Sequence, residues 1–481
     1  MILVAIPLFP LAASGLSAVL PGRRAAAATT FVGALASLLA SGGVALRVAR
    51  GAPVVAVPGW LACDGLSALV LALIALVGTA SALFSWGYID ERVGGGHGGR
   101  ERLYYVNFNL FLFSLLAVPL LLELALVWIA VELTTLLSVF LVSFDNTREA
   151  LEAAWKYVVL TLMGAAIALL GFLLLYWGLR GTGGGAYTWA GLAAAAPRVS
   201  PALLGTAFLL VLVGFGAKTG LVPLHTWLPD AHSQAPAPVC ALLSGVETTA
   251  VLYTILRLVP VVAASASFRI GAWLVAFGLL SVGVAAFLLI QTTDCKRLFA
   301  YSTVEHMGII LAAVGLGGPL VAYGAAYQIT SHALTKAFCF FASGAALLST
   351  GTREIDAIRG LIRTSPPAGA ALLLGGLAIA GAPPSAVFLS EFSILRAGIA
   401  GGQFLAVGLL ALFIVVAFVA IMFHVNRMVF GLPGPAAPRA GLPAACVIAL
   451  VAVAVPVVLL GLYTPSVLHA LLQRAAAAVE R

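Results

Sequence analysis

Long apolar runs follow one another along this 481-residue chain, with only short polar stretches between them. A helix needs about 20 apolar residues to cross a bilayer, and fourteen stretches of this sequence reach that length. Hydrophobic residues make up 62% of the chain and charged residues only 9%, whereas a soluble domain contains roughly a quarter charged residues. The pattern predicts an all-α integral membrane protein. It excludes a soluble enzyme, a nucleic-acid-binding protein and a disordered chain.

The predicted spans lie near residues 2–20, 27–46, 63–89, 104–121, 124–143, 151–178, 201–227, 237–260, 270–291, 298–316, 319–349, 369–399, 402–430 and 441–463. Residues 464–481 are predicted to form a short helix at the membrane surface.

Lysine and arginine in the loops indicate how the spans are oriented, because cytoplasmic loops carry an excess of these residues. Of the 25 Lys and Arg residues, fourteen fall in odd-numbered loops and nine on the side of the termini. The other two, Lys218 and Lys336, lie inside spans. The bias predicts a multi-pass protein of a bacterial or archaeal cell membrane with both termini outside the cytoplasm.

The sequence contains no recognisable cofactor site. Its five cysteines are scattered, with no CxxC pair and no Cys/His spacing suited to an iron–sulfur cluster or zinc. A Walker motif is absent as well, and the glycine-rich stretch at residues 94–99 is interpreted as a flexible loop, because no predicted strand or helix start frames it as a phosphate-binding loop. We therefore expect no redox cofactor and no active site in this chain, so that electron transfer would have to take place in partner subunits.

Ionisable side chains occur inside the apolar spans, where a charge costs at least about 2.5–3.5 kcal/mol at the bilayer centre. They are Glu132, Lys218, Glu247, Glu305, His306, His332, Lys336, Glu391 and His424, and Glu123 and Lys156 lie near span ends. Lys336 follows His332 by one helical turn, which places both on one face. We interpret this set as an ion or proton path through the interior. The alternative for each residue is structural, as a hydrogen-bond link or a packing group between helices.

Two spans contain helix breakers beside an ionisable residue. Pro223 follows Lys218 in the seventh span, and Pro383 and Pro384 precede Glu391 in the twelfth. Proline removes a helical hydrogen bond, and a broken helix is tolerated at membrane depth only where it lines protein or a water-filled cavity. The breaks lie five spans apart, which favours an inverted repeat of helices 4–8 and 9–13, with helices 7 and 12 discontinuous. Two ordinary proline kinks are the alternative.

The repeat predicts four segments in the chain. They are residues 1–103 with helices 1–3, residues 104–260 with the first half-channel, residues 261–430 with the second half-channel, and residues 431–481 with the last helix and the tail.

Several motifs resemble the antiporter-like, proton-translocating subunits of respiratory complex I and its relatives. The most specific are PLHTWLPDAHSQAP at residues 223–236 and HALTKAF at residues 332–338. Within that family, residues 128–136 with 154–157, and residues 301–308, are similar to the hydrogenase-4 component F type. Subunits of this type belong to membrane-bound hydrogenase and formate hydrogenlyase complexes. The resemblance covers roughly residues 60–430 and implies fourteen helices with an inverted repeat.

The resemblance also implies roles for individual residues. Glu132 matches the glutamate of the fifth helix and Lys218 its lysine partner, Lys336 matches the lysine of the second half-channel, and Glu391 matches the ionisable position of the twelfth helix. Thr249 stands where many relatives carry a lysine that links the two halves, so water or other buried residues would have to make that link here. The predicted proton path comprises Glu132, Lys156, Lys218, His225, Glu247, His306, His332, Lys336, Glu391 and His424.

The function that the resemblance implies is proton translocation by a non-redox subunit of a larger oxidoreductase complex. Iron–sulfur clusters and a NiFe centre or flavin are expected in partner subunits, and the partners are other membrane subunits and a peripheral oxidoreductase arm. Two alternatives stay open. One is a cation/proton antiporter without redox chemistry, and the other is a membrane subunit of an inorganic-carbon uptake complex.

Overall fold

The computed structural model describes residues 1–20, 22–93, 98–264, 268–432 and 441–480. Its regular secondary structure is helical apart from one short β-hairpin. In the first half of the chain the elements are α1 (Ile2–Val19), α2 (Arg23–Ala49), β1 (Val54–Val57), β2 (Leu61–Cys63), α3 (Gly65–Val93), α4 (Gly98–Ala117), α5 (Leu124–Val142), α6 (Arg148–Gly181), α7 (Trp189–Ala195), α8 (Pro201–Thr219), α9 (Trp227–Gln234), α10 (Ala237–Leu242) and α11 (Thr248–Ala263). In the second half they are α12 (Ile270–Ile290), α13 (Cys295–Leu316), α14 (Pro319–Thr350), α15 (Leu361–Thr364), α16 (Pro366–Ile379), α17 (Ala386–Ala400), α18 (Phe404–Phe430), α19 (Ala444–Leu462) and α20 (Ser466–Val479).

Thirteen helices of the described chain are long and apolar enough to cross a membrane. They account for every predicted span except the twelfth, which consists of the two shorter helices α16 and α17. The seventh span, α8, ends before α9, and the eighth combines α10, a π-helical turn at Leu243–Glu247, and α11. The predicted all-α membrane architecture with discontinuous helices 7 and 12 is therefore confirmed.

Glycines allow the helices of each half to pack closely. A Cβ atom on Gly164 of α6 would lie 2.5 Å from the carbonyl oxygen of Gly214 on α8. In the second half, a Cβ atom on Gly278 of α12 would lie 2.6 Å from the carbonyl oxygen of Gly308 on α13. Small residues let membrane helices approach at backbone distance, and these contacts fix α8 and α13, the helices that carry Lys218 and His306.

One boundary corrects the sequence analysis. The side chain of Asp294 accepts hydrogen bonds from the backbone N–H groups of Lys296 at 2.7 Å and Arg297 at 3.0 Å. This cap starts α13 at Cys295, three residues before the predicted start of the span. Lys296, which was counted among the loop residues, therefore lies in the first turn of the helix and is only 1% exposed.

The two ends of the bundle are distinguished by the elements they carry. The terminal face carries Met1 and α20, and the opposite face carries the starts of α6 and α13. The predicted short helix at 464–481 is observed as α20, which packs against α3 and α14 and buries Leu471 and Leu472. Arg474 of α20 donates a hydrogen bond to the carbonyl oxygen of Ala49 at 3.3 Å, which ties this helix to the end of α2.

Candidate functional site

The seventh span is interrupted directly after Lys218. Gly220 adopts a left-handed φ of +79°, and its N–H and that of Leu221 bond to the carbonyl oxygens of Ala217 and Gly216 at 3.3 and 2.8 Å. This is a Schellman end, which glycine favours because it lacks a Cβ atom. The indole N–H of Trp227, the first residue of α9, donates to the Ala217 carbonyl oxygen at 2.7 Å. The carbonyl oxygen of Ala217 therefore has a hydrogen-bond partner even though the helix ends here.

The twelfth span is interrupted by the same backbone geometry. Gly381 has φ of +75°, and its N–H and that of Ala382 bond to the carbonyl oxygens of Ala378 and Leu377 at 3.3 and 2.9 Å. Each break continues into a cis peptide bond before a proline, Pro223 in one and Pro384 in the other. Because the same helix-terminating turn occurs at Gly220 and at Gly381, the two breaks match as expected for an inverted repeat.

Gly381 lies against the carboxylate of Glu391, since a Cβ atom there would meet Oε2 at 2.6 Å. We expect Gly381→Ala to lower the thermal stability of the assembled protein, because a left-handed conformation costs a residue with a Cβ atom about 1–2 kcal/mol and the methyl group displaces the carboxylate. Gly402→Ala is the matched control, since Gly402 has φ of +73° and nothing within 4 Å of its Cβ position. Thermal unfolding and ion transport of both variants would be compared. An equal loss of stability with full transport in both would contradict a role for this contact.

Lys218 and Glu132 form a buried ion pair. The Nζ atom of Lys218 lies 3.1 Å from Oε1 of Glu132 and donates to the carbonyl oxygen of Val131 at 2.6 Å. The lysine is 2% exposed and the glutamate 7% exposed. Oε2 of Glu132 has no hydrogen-bond partner within the described residues. The pair expected from the sequence is therefore formed in the protein interior.

Glu247 lies next to this pair, on the π-helical turn of the eighth span. Its Oε1 atom accepts hydrogen bonds from the hydroxyl groups of Thr134 at 2.9 Å and Tyr157 at 3.0 Å. The Thr134 hydroxyl is also 2.7 Å from the carbonyl oxygen of Val131, which Lys218 binds. A hydroxyl group has one proton to donate, so Thr134 can donate either toward the lysine pocket or toward Glu247.

The π-helical turn brings the two halves of the protein together. The hydroxyl groups of Thr248 and Thr249 each bond to the carbonyl oxygen four residues earlier, at 2.6 and 2.9 Å. The carbonyl oxygen of Ser244 also accepts a hydrogen bond from Nε2 of His332 at 3.1 Å. π-helical turns occur often at functional sites, and this one joins α14 of the second half to the eighth span.

A chain of polar side chains continues from His332 into the second half. The rings of His332 and His306 lie 5.3 Å apart, centroid to centroid. Nε2 of His306 donates to the carbonyl oxygen of Ile379, at the end of α16, at 3.1 Å, so its Nδ1 accepts from the Gln328 amide at 2.8 Å. The Gln328 carbonyl oxygen accepts from Ser390, the residue before Glu391. These contacts reach the second break.

Lys336 differs from Lys218 in its partners. It is fully buried, and its Nζ atom donates to the carbonyl oxygen of Phe299 at 2.7 Å and to the hydroxyl oxygen of Ser302. No ion pair to Lys336 forms among the residues that the structure describes. Glu305 and Glu391 are also buried, at 3% and 6% exposure. The second half thus holds its amine and its carboxyl groups apart, whereas the first half pairs them.

We refer to seven of the buried ionisable groups in these two halves as the buried row, which consists of Glu132, Lys218, Glu247, His306, His332, Lys336 and Glu391.

Three predicted path residues make no hydrogen bond to the buried row. Lys156 has a side chain 45% exposed at the opposite face and pairs with Glu152 at 2.8 Å and Asp230 at 3.1 Å. His424 on α18 bonds to a backbone carbonyl oxygen of α12 at 3.1 Å. His225 is buried between α8 and α9, and its Nδ1 atom has no partner within the described chain. Their participation in transport stays a prediction.

The sequence analysis did not single out the neutral groups that connect the charged ones. Thr134, Tyr157 and Ser302 each bond through a hydroxyl group to a member of the buried row, and Ser244 does so through its backbone carbonyl oxygen. Hydroxyl residues are common in membrane helices, where they often bond only to their own backbone, so nothing in the sequence distinguishes these four. Gln328 could have been recognised from the sequence, because an amide side chain inside an apolar span needs hydrogen-bond partners.

The described part of the chain contains no group of three or more His, Cys, Asp or Glu side chains placed to hold a metal ion. The five cysteines are free and buried.

Known proteins share both the sequence and the fold. The family described as NADH:quinone oxidoreductase/Mrp antiporter, TM, matches residues 121–419. The hydrogenase-4 component F homolog of Methylacidiphilum infernorum (isolate V4) is 38% identical over 376 residues, which cover 77% of this chain and 79% of that protein. NADH-quinone oxidoreductase subunit N of Desulforudis audaxviator (strain MP104C) is 29% identical over 470 residues, 91% of each chain.

Among solved structures, a chain of the membrane-bound sulfane sulfur reductase, an archaeal respiratory membrane complex, matches with a TM-score of 0.88 and 25% identity. The match covers 99% of this chain and 98% of that chain. The resemblance found in the motifs is therefore confirmed over nearly the whole length of the protein. This chain belongs to the NADH:quinone oxidoreductase/Mrp antiporter family and is an antiporter-like, multi-pass membrane subunit of that family.

Proposed function

We propose that this subunit translocates protons through the buried row, driven by electron transfer in partner subunits of a hydrogenase-like or complex I-like enzyme. The observation that carries the proposal is the Lys218–Glu132 pair at the broken seventh helix, with further ionisable groups continuing to Glu391 at the broken twelfth helix. So many ionisable groups in a membrane interior are costly, and their usual role is in an ion or proton pathway.

The Lys218–Glu132 pair acts as a proton store in this proposal. A buried amine keeps its proton while a carboxylate lies beside it, and it releases the proton more readily when the carboxylate moves away. The two groups titrate as one coupled unit. Lysine suits this task because it can lose its proton in a buried site, whereas arginine stays charged. Movement at the break after Lys218 would change the distance between its amine and the Glu132 carboxylate. The amine would release its proton when the two groups separate and bind a proton again when they meet.

Glu247 is the neighbouring acceptor for a proton that leaves this store. Thr134 lies within hydrogen-bond distance of both the Val131 carbonyl oxygen and Glu247. Tyr157 binds the same carboxyl oxygen from α6. The Thr134 hydroxyl group contacts both of these oxygens and so places Glu247 next to the pocket that holds Lys218, while Tyr157 holds the carboxyl group in this position.

In this proposal, electron transfer in partner subunits supplies the energy for proton translocation. The relatives are named as hydrogenase-4 component F and NADH-quinone oxidoreductase subunit N, which supports an assembly with other membrane subunits and a peripheral oxidoreductase arm. Iron–sulfur clusters and a NiFe centre or flavin would belong to that arm. The distribution of Lys and Arg supports an orientation with the terminal face outside the cytoplasm.

A cation/proton antiporter without redox chemistry is the second candidate, because the family description also includes the Mrp antiporter. Purification of the chain with its native partners distinguishes the two. Co-purifying iron–sulfur and NiFe or flavin proteins, with acidification of proteoliposomes on addition of electron donor, are expected for the redox complex. Ion exchange that needs no electron donor would support the antiporter instead.

Glu132→Gln is expected to reduce proton translocation strongly while the complex still assembles. The amide keeps the size of the side chain and can accept a hydrogen bond from Lys218, but it cannot carry the negative charge that holds the proton there. Donor-driven acidification of proteoliposomes measures the effect. Glu152→Gln is the control, because this exposed glutamate also pairs with a lysine, Lys156, at 2.8 Å. Full translocation in Glu132→Gln would show that Glu132 has only a structural role between helices.

A further inference from the structure

Glu305 is a buried carboxyl group without a partner. It lies in the middle of α13 and is 3% exposed. Its Oε2 atom has no hydrogen-bond partner, and its carboxyl group forms no ion pair, among the residues that the structure describes. A buried polar group costs free energy unless it is hydrogen-bonded. The path through the buried row does not include Glu305, so this cost calls for a separate explanation.

Lys336 on α14 carries the opposite charge and also lacks an ionic partner. Its amine is fully buried and is held by the Phe299 carbonyl oxygen at 2.7 Å and by the hydroxyl group of Ser302, both of which are neutral. A buried charge is normally paired, as Lys218 is with Glu132 at 3.1 Å. The second half therefore contains a buried amine and a buried carboxyl group that are both unpaired within the described chain.

The packing of α13 against α14 fixes the height of Glu305 in the bundle. The two helices follow each other in the chain and pack as antiparallel neighbours. Two contacts set their register, because Lys336 bonds to Ser302 and the ring of His332 lies 5.3 Å from the ring of His306. One turn forward along α13 thus corresponds to one turn back along α14. Glu305 comes between Ser302 and His306, and so its height is between those of Lys336 and His332.

Glu305 also lies next to the part of α13 that holds the amine. Residues three apart in a helix are neighbours on its surface, and Phe299, Ser302 and Glu305 follow one another at this spacing. Three residues correspond to about 4.5 Å along the helix axis. The amine of Lys336 is carried on a flexible four-carbon stem, so a change of its side-chain torsions moves it from Ser302 toward Glu305. The amine therefore has a neutral position, which is the one observed, and a carboxyl group one turn away.

The residue after Glu305 contacts the second helix break. Nε2 of His306 donates to the carbonyl oxygen of Ile379, the last residue of α16, at 3.1 Å. Glu305 therefore lies at about the depth of the break that precedes Glu391. A proton that moves from Lys336 to Glu305 is brought from the level of Ser302 to the level of this break.

We propose that Glu305 is the proton acceptor for Lys336 and a further residue of the transport path in the second half. The proposal rests on the proposed function. The Lys336 ammonium group leaves Ser302 and moves to the Glu305 carboxylate. One N–H bond breaks and one O–H bond forms, which leaves a neutral amine and a neutral carboxylic acid. The amine returns to Ser302 and binds another proton, and Glu305 becomes a carboxylate again when it passes its proton on toward the second break.

Two substitutions of Glu305 separate proton acceptance from a structural role. Glu305→Gln keeps the shape of the side chain but cannot bind a proton, whereas Glu305→Asp keeps the carboxyl group and shortens the side chain. Proton acceptance predicts that Glu305→Gln lowers donor-driven acidification of proteoliposomes by about 100-fold, a usual contribution of a positioned proton-transfer group, and that Glu305→Asp retains more of it. A structural role predicts the reverse order, because glutamine fits the site and aspartate leaves a gap.

Glu354→Gln is the matched control, because this exposed glutamate lies in the same half of the chain, and it should keep wild-type translocation. The unfolding temperature of Glu305→Gln should not fall, since Glu305 has no hydrogen bond to lose within the described residues. Wild-type translocation in Glu305→Gln, or more translocation in Glu305→Gln than in Glu305→Asp, would overturn the proposal.

Infrared difference spectroscopy of the native complex follows the protonation of Glu305 directly. Addition of the electron donor should produce a carboxylic acid C=O band that the wild type and Glu354→Gln share and that Glu305→Gln lacks. Lys336→Met leaves Glu305 in place and should lack this band too, because no amine delivers the proton, so the measurement does not depend on the folding of Glu305→Gln alone. The full wild-type set of bands in either variant would contradict the proposal.

The role of Glu305 and the proposed function fail in different ways. Loss of translocation in Lys218→Ala together with wild-type translocation in Glu305→Gln would reject Glu305 alone. Wild-type translocation in Lys218→Ala would reject the proposed function itself.

Discussion

Replacement of Lys218 with alanine is expected to reduce proton translocation to background while the complex still assembles. The variant removes the buried amine that is held 3.1 Å from Glu132 and 2.6 Å from the Val131 carbonyl oxygen. Without it no group at the break can hold and release a proton in response to Glu132. The measurement is donor-driven acidification of proteoliposomes, with the electron-transfer rate of the same preparation recorded alongside.

Two further variants show whether that loss comes from chemistry or from folding. Removal of one partner of a buried pair costs about 3–5 kcal/mol when the other stays charged, so Lys218→Ala is expected to lower the unfolding temperature. The double variant Glu132→Gln with Lys218→Met removes both charges and should recover stability but not translocation. Arg148→Ala, which removes an exposed cation at the start of α6, should leave both unchanged. Normal translocation in Lys218→Ala would remove this lysine from the mechanism.

Lys336→Met is expected to abolish translocation without the loss of stability seen at Lys218. The Lys336 amine is fully buried, and within the described residues it bonds only to Phe299 and Ser302, which are neutral. Replacement of a buried charge by an apolar side chain of similar volume is often neutral or stabilising, so the unfolding temperature should stay the same or rise. A stable complex that cannot translocate protons would identify the amine as a transport group.

Ser302→Ala is the control for this prediction, because it removes the hydroxyl partner and leaves the amine in place. Most of the translocation should be retained, since the Phe299 carbonyl oxygen still accepts from Lys336 at 2.7 Å. If Ser302→Ala and Lys336→Met lose translocation equally, the hydrogen-bonded arrangement and not the amine is what matters. Wild-type translocation in Lys336→Met would exclude Lys336 from the path.

Much of the fold could be predicted because membrane helices are selected by length and hydropathy alone. Thirteen of the predicted spans contain a helix of the described structure long enough to cross a membrane, and the seventh and twelfth are interrupted beside Pro223 and Pro383 as their sequences indicated. Every backbone polar group must be bonded within lipid, so a chain this apolar has few alternatives. The β1–β2 hairpin was not predicted, since the four-residue and three-residue strands are too short to give a periodic signal.

The site could be predicted only in part. Charged residues in apolar runs are visible in the sequence because their insertion is costly, and Lys218, Glu132 and Lys336 were found in this way. Their partners are not visible, since Thr134, Tyr157 and Ser302 are ordinary residues until a neighbouring helix brings an acceptor to them. Lys296 was misplaced for the same reason, because one capping contact from Asp294 decides whether it belongs to a loop or to a buried helical turn.

The sequence by itself determined that this chain crosses the membrane about fourteen times, that two of its helices break beside ionisable residues, and that charged groups lie at membrane depth. Those features depend on local composition and on the fixed requirements of a bilayer. The tertiary structure alone decided that Lys218 is paired while Lys336 is not, and that Lys296 is buried against the carbonyl oxygens of Ser233 and Ala235. Such contacts join residues that lie tens to hundreds of positions apart, and helix packing, not local pattern, sets their distances.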